Sequence, residues 1–353
     1  MQCPNQFLML PTHHSLPLMN FPDFQTKSSS FCSWNRIPKI HHGPKAYHGF
    51  YVENASKKML PFPPKVKNIT STSNPFVKHC VKLRLSSSYR YLHGSVLVVG
   101  AILVREIYGF YKTFQDRPII ECLLVLDNSH IPEEIDYPSV HIIRVNSVVM
   151  SKLSGVQSND SVHVIALVRF PTTFHVASDN LLEEDCRKWF SFPHRILVLD
   201  GIQDPGNLGT LLRSATAFRW GGVLLLPGCC DPFNEKALRA GRGASFQIQI
   251  ITGNWTHIET LRKEFQMKML AGHPSISDKL NPVLKLSKEL ADSLAELPLC
   301  LVLGSEGTGL SETSKSSCEL VSIPMAGEFE SLNVSVAGGI FMYMLQPENH
   351  VTI

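Results

Sequence analysis

From residue 195 onward the apolar residues fall in short unbroken runs: RILVLD (195–200), VLLLP (223–227), LCLVLG (299–304) and LVSIPM (320–325). Unbroken runs of this length, bounded by Gly and Pro, predict strands buried on both faces. QIQII (247–251) and MKMLAGH (267–273) predict two further strands. Between the strands the spacing turns helical, in TLLRSATAFRW (210–220), THIETLRKEFQ (256–266), KLSKELADSL (285–294) and the segment from Val334 to Gln346. Strands alternating with helices predict an α/β fold with a mostly parallel, doubly wound sheet. Ligands of such sheets bind outside the carboxyl ends of the strands, so the loops that follow the strands are where chemistry is expected.

A smaller α/β pattern comes first. HCVKLRLSSSYRYLHGSVLVVGAILVREIYG (79–109) predicts a basic helix, a turn at Ser86–Ser88, a strand and a second helix. CLLVLD (122–127), VHIIRV (140–145) and VHVIALVRF (162–170) predict strands, and LLEEDCRKWF (181–190) a charged helical connector. The pattern divides the chain into an N-terminal extension (1–74), a small α/β domain (75–172), a connector (173–193) and a larger α/β domain (194–353).

Composition narrows the class. The longest apolar run near the middle, Val96 to Val104, has nine residues, half of what a membrane span needs. Nine cysteines without a CxxC pair predict neither a metal site nor a disulfide framework, but reduced thiols that are mostly core. Residues 1–78 carry nine Lys/Arg against two acids, a balance of +7, which leaves −4 for the rest. This first part is also rich in Ser, Pro and His and has no helical or strand period, as in an organelle transit peptide. Its single Arg leans towards a chloroplast rather than a mitochondrion. His13, His14, His41, His42 and His48 belong to that composition and not to a metal site.

Three loops follow three strands. GIQDPGNLGTLLR makes a tight turn with Asn207 inside it and opens a helix at Thr210, placing Arg213 on the first turn. SEGTGL puts Glu306 among Gly304, Gly307 and Gly309; it is no P-loop, nucleophile elbow or dinucleotide fingerprint. A nucleotide-binding α/β enzyme is thereby disfavoured. In IPMAGEFESLNVSVAGG (323–339) an apolar run is interrupted by Ser331-Leu332-Asn333, whose polar groups either cap the following helix or face a ligand. With a net negative domain pair, attraction to a polyanion must be local. Lys82, Arg84 and Arg90, in a stretch without acids, and Arg239 and Arg242 are the candidates for contacts with the phosphates of such a polyanion.

The three loops, in VLDGIQDPGNLGTLLRSATAF, LVLGSEGTGL and SIPMAGEFESLNVSVAGGI, resemble in order and spacing the three motifs of the SpoU (TrmH-like) branch of SPOUT RNA methyltransferases. NEKALRAGRGASFQI (234–248) is similar to the family's stretch between the first two motifs. NPFVKHCVKLRLSSSYR resembles the opening of the substrate-binding domain that often precedes them, a fold similar to small ribosomal proteins, although Val99-Gly100 stands where Glu-Gly is expected. The resemblance implies a parallel sheet with a deep trefoil knot, and S-adenosylmethionine held in it largely by main chain. Leu303, Gly304, Gly307, Ile323, Met325 and Leu332 would line that cofactor. It implies methyl transfer to a ribose 2′-hydroxyl of RNA, with Arg213 catalytic, Asn207 and Glu306 beside it, and Ser331 and Asn333 fixing the pocket. Glu306 would orient Arg213 through a bidentate pair. A homodimer packed through the knots is implied too, with arginines crossing into the partner's site. The preceding domain favours a guanosine of large-subunit rRNA over tRNA as substrate. The rival from another class is a ribosome-assembly protein without catalysis.

Overall fold

The computed structural model describes residues 68–114, 119–131, 135, 140–156, 162–177, 186–190, 193–274 and 282–346. The expected transit segment lies almost wholly outside them. Two sheets organise the described chain. The first contains β1 (Asn68–Ile69), β2 (Ser95–Val99), β3 (Ile120–Leu126), β4 (His141–Val145) and β5 (Val164–Arg169), with helices α1 (Pro75–Leu85), α2 (Ser87–His93), α3 (Ala101–Phe114) and α4 (Ser147–Ser154). Its order is β1-β4-β3-β5-β2; β1, β4 and β3 run parallel, while β5 is antiparallel to both its neighbours. The expected turn at Ser86–Ser88 is tighter than the pattern suggested. Ser86 ends α1 and its hydroxyl accepts from Tyr89 N, so α2 starts at once.

The second sheet has eight strands: β6 (Phe174–Val176), β7 (Arg195–Asp200), β8 (Gly222–Leu225), β9 (Ile250–Thr252), β10 (Lys268–Gly272), β11 (Val283–Lys285), β12 (Leu299–Gly304) and β13 (Glu319–Ser322). All neighbours are parallel, in the order β11-β13-β10-β12-β7-β8-β9-β6. Between β5 and β7 lies the short α5 (Cys186–Trp189), and the helices α6 (Pro205–Ala217), α7 (Glu235–Gly241), α8 (Trp255–Glu264), α9 (Lys288–Ser293), α10 (Glu312–Ser317) and α11 (Val334–Met344) follow. Leu197, Leu199, Leu301 and Leu303 turn one way, onto Leu208, Leu211 and Leu212 of α6 and Phe341 and Met342 of α11. Ile196, Val198, Cys300 and Val302 turn the other way, onto Trp189, Phe190, and Ile258 and Leu261 of α8. Alternate residues of each strand are thus buried on both faces, as the unbroken apolar runs require.

Several expectations shift. The connector is not only a helix: β6 joins the large sheet beside β9, and of the 181–190 stretch only α5 and Phe190 are described. The expected strand at 247–251 starts later, at Ile250, because Ala244–Phe246 form a turn of 3₁₀-helix first. α6 opens at Pro205, not Thr210. Asp204 caps it and Pro205 occupies the first helical position, where its missing N–H costs nothing.

Phe170, Phe174, Phe233 and Phe246 pack ring to ring at 4.6–5.5 Å and join the two sheets. Arg90 reinforces this joint. It is 3% exposed and donates from Nε to Asp231 Oδ2 at 2.9 Å and from Nη1 to Leu83 O at 2.7 Å. At the far side of the large sheet the buried Arg195 holds the chain after α11, donating to Leu345 O at 2.6 Å as well as to Leu294, Ala295 and Leu297 carbonyls. Burial pulls its pKa down to about 10, still high enough to keep the charge.

Candidate active site

The strand order reverses between β7 and β12, and at such a switch point ligands bind in the crevice outside the carboxyl ends of the strands. Three side chains meet there. Asn207, on the first turn of α6, donates from Nδ2 to Glu306 Oε1 at 2.6 Å. Asn333 donates from Nδ2 to the same Glu306 Oε1 at 2.7 Å and to Asn207 Oδ1 at 3.2 Å. The other half of the Asn333 amide accepts from Ser335 N at 2.9 Å and caps α11. The polar interruption of 323–339 caps the helix through Asn333 Oδ1, while Asn333 Nδ2 closes the ring of Asn207, Glu306 and Asn333. Glu306 Oε2 has no hydrogen-bond partner among the described residues.

Each loop is built to hold its member of the ring. Asp204 Oδ1 accepts from Asn207 N at 2.9 Å, and Lys236 Nζ reaches Asp204 Oδ2 at 2.7 Å and lowers its pKa. The loop after β12 closes on itself, with Ser305 N donating to Gly309 O at 3.0 Å and Gly309 N to Ser305 O at 2.9 Å. A Cβ on Gly304 would lie 2.5 Å from Gly309 O and Leu310 N, so only glycine permits this closure. Asp200, at the end of β7, accepts from Ser311 N at 2.9 Å and from the Ser314 hydroxyl, which pins the start of α10 beneath the loop. The Cys229 thiol accepts from Ile202 N and donates to Leu199 O, and burial pushes it up to about 11, so it acts as a pin and not as a nucleophile.

The remaining expected residues scatter. Ser331 is exposed without a hydrogen-bond partner among the described residues, on the loop leading to Asn333. The Leu303 side chain is buried in the core, which leaves only its main chain for a ligand. Gly304, Ile323 and Met325 are half-buried, and Gly307 and Leu332 exposed, at the end of β12 and on the loops after β12 and β13. These glycine backbones and apolar side chains suit a ligand held by main-chain groups and flat apolar contact.

The expected pair of Arg213 with Glu306 does not form. Arg213 is exposed and has no partner among the described residues, and Glu306 Oε1 is held by the two asparagines. With α6 starting at Pro205, Arg213 lies six residues beyond Asn207, about 9 Å along the axis and about 120° round the helix. Arg90 also departs from expectation: its buried bonds to Asp231, Leu83 and Arg84 leave it nothing for a phosphate. Arg84 is committed to Glu235 at 3.3 Å and Arg242 to Glu106. Arg239 also pairs with Glu235, yet is mostly exposed, and Lys82 is exposed with its Nζ 5.7 Å from the Tyr89 ring centroid. Reading the sequence missed Asp200, Asp204, Lys236 and Ser335. Only Asp204 carried a signal, the Asp-Pro pair that marks a capped helix start.

Among the described residues no group of three or more His, Cys, Asp or Glu is placed to hold a metal ion, and no helix is long and apolar enough to cross a membrane. Cys80, Cys122, Cys229, Cys230, Cys300 and Cys318 are free thiols.

Residues 194–343 match the model of the SpoU rRNA Methylase family. An uncharacterized tRNA/rRNA methyltransferase of Mycobacterium sp. (strain KMS) is 30% identical over 244 residues, which cover 64% of this chain and 73% of the relative. The 23S rRNA (guanosine(2553)-2′-O)-methyltransferase RlmP of Bacillus subtilis is 27% identical over 287 residues, covering 80% of this chain and all of the relative. Among solved structures, the AdoMet-bound rRNA methyltransferase of Sinorhizobium meliloti superposes with a TM-score of 0.62 at 24% identity, over 82% of this chain and 99% of that one.

Proposed function

The chain belongs to the SpoU family of S-adenosylmethionine-dependent RNA methyltransferases, and from that premise we propose that it methylates a guanosine ribose 2′-hydroxyl in organellar large-subunit rRNA. The observation that carries the reading is the closed ring of Asn207, Glu306 and Asn333 at the carboxyl ends of parallel strands. The rRNA and guanosine specificity draws support from the Bacillus relative, a 23S rRNA guanosine 2′-O-methyltransferase. The organellar destination, chloroplast before mitochondrion, draws support from the basic, acid-poor composition of residues 1–78.

S-adenosylmethionine supplies, when bound, a methyl group on a sulfonium that a ribose oxygen displaces in line. The loops suit it: Gly304 lets the chain close where a Cβ would collide, and Ile323, Met325 and Leu332 offer apolar surface to its adenine and ribose. The protein's own contribution is mainly positioning. The two asparagines hold Glu306 Oε1 in one orientation, which leaves Oε2 to accept a hydrogen bond from the ribose hydroxyl and take its proton.

Arg213 fits a role in a second copy's site. It stands exposed and unengaged on α6, and α11 beside it offers an apolar stripe with Val336 52% and Tyr343 58% exposed. Tyr343 packs against Phe218 of the α6 end at 5.8 Å, so one surface spans both helices. We therefore assign this surface to a homodimer, in which Arg213 stabilises the developing alkoxide or clamps the adjacent phosphate across the interface. The trefoil knot belongs to the same reading; its support is the packing of α11 on α6 and β12 and the Arg195 clamp on Leu345. Lys82 and Arg239 remain the exposed cations for RNA.

The test offers the full chain unmodified organellar rRNA and tRNA with S-adenosylmethionine carrying a labelled methyl group. Label at one ribose of large-subunit rRNA supports the proposal. Label confined to tRNA keeps the chemistry and overturns the substrate.

A further inference from the structure

We propose that Phe329 is the platform on which the base of the methylated nucleotide stacks. This rests on the methyltransferase reading above and adds to it the part of the RNA that the site grips. Phe329 is 83% exposed, more than any other large apolar side chain among the described residues. It lies in the loop between β13 and α11, where residues 326–333 are all exposed. From 326 to 332 no hydrogen bond ties that loop to the rest of the described chain. Its far end is fixed, because Asn333 is fastened to both Glu306 and Asn207. Three residues separate Phe329 from that anchor, and the four steps between them reach at most about 14 Å along the chain. A base attached to a ribose at Glu306 falls within the sweep of the ring.

The loop's charges argue for a base and against a phosphate. Phe329 is flanked by Glu328 and Glu330, and no Lys or Arg occurs between Ile323 and Asn333. Two carboxylates repel the phosphate backbone, whereas an aromatic face accepts any base. The same carboxylates are acceptors matched to the exocyclic amino groups that guanine, cytosine and adenine carry.

Two other occupants account for the ring less well. The apolar side chains assigned to the cofactor are far less exposed than Phe329, Ile323 and Met325 half-buried and Leu332 only 37% exposed. The stripe offered to a second copy, Val336 and Tyr343, is on α11 itself, whereas Phe329 precedes the helix on a free loop.

The experiment compares the full chain with Phe329→Ala and Phe329→Trp, using labelled S-adenosylmethionine and the RNA that the wild type labels. The expected result is a fall in kcat/KM of roughly 5- to 100-fold for Phe329→Ala, carried mainly by KM and restored by Phe329→Trp. Cofactor affinity by calorimetry and assembly mass by sedimentation stay at wild-type values. Unchanged kcat/KM overturns the proposal. So does a loss that arrives with weakened cofactor binding, which assigns the ring to the cofactor, or with an altered mass, which assigns it to a subunit contact. A wild-type chain that labels no RNA overturns the methyltransferase reading and this one with it; a labelling wild type beside an unimpaired Phe329→Ala overturns this one alone.

Discussion

Asn333→Asp separates the two jobs of Asn333. Aspartate caps a helix as well as asparagine does, so the bonds from Ser335 N and Val336 N survive. What disappears is the Nδ2 donor, 2.7 Å from Glu306 Oε1, and an oxygen takes its place. A hydrogen bond to a charged group is worth about 1.5–3 kcal/mol, and opposed carboxylates near 4 Å add about 1 kcal/mol where water screens them well. Both side chains are exposed, so Glu306 swings into solvent and recovers part of the loss. A net destabilisation of about 1–2 kcal/mol remains, which in a chain of this size lowers Tm by a few degrees. Turnover should fall much further, because Glu306 no longer faces the crevice. The assay is a double-mutant cycle with Glu306→Gln, read by denaturant unfolding. An amide at position 306 can donate to the new carboxylate, so the double variant should recover at least about 1 kcal/mol relative to additivity. Additive effects, or an Asn333→Asp chain as active as wild type, would refute the ring as the element that orders the site.

Other consequences are simpler to read. Gly304→Ala should displace the loop after β12 and abolish cofactor binding by calorimetry while far-UV dichroism stays native, since the added Cβ meets backbone at 2.5 Å. Arg90→Ala strands Asp231 in a buried ion pair and should cost about 3–5 kcal/mol in denaturant unfolding, against about 0–1 kcal/mol for the exposed Arg239→Ala. His79, whose Nδ1 lies 2.9 Å from the Tyr89 hydroxyl, is held down to about 4, first by burial and then by His93 and Lys82. The unfolded chain therefore binds the extra proton, and stability should fall as pH drops from about 6.5 towards 4. His79→Gln should flatten that part of the melting-temperature profile.

The sequence makes the layered fold legible because buried parallel strands have to be unbroken apolar runs, and RILVLD and LCLVLG became β7 and β12 residue for residue. Short edge strands were not legible. β1, β6 and β11 have two or three residues each and carry no period of their own. β11 also takes the first residue of the helix expected at 285–294, which shrinks to Lys288–Ser293. α10, with the sequence ETSKSS, lacks an apolar face and is held by Asp200 from another strand. The site divides in the same way. Asn207, Glu306 and Asn333 were found because polar residues interrupt glycine loops after strands. The fates of Arg84 and Arg90 depend on Glu235 and Asp231, which lie more than 140 residues further along. Arg213 was misplaced by a five-residue error in where α6 begins.

The role proposed for the ring around Glu306 is methyl transfer to a ribose hydroxyl. Its most direct test incubates wild type and Glu306→Gln with labelled S-adenosylmethionine and unmodified rRNA, digests the RNA with alkali, and weighs cofactor binding in parallel. The wild type should leave label in alkali-resistant dinucleotides, and Glu306→Gln none although it still binds the cofactor. Label on a base instead of a ribose, or undiminished label from Glu306→Gln, would contradict it.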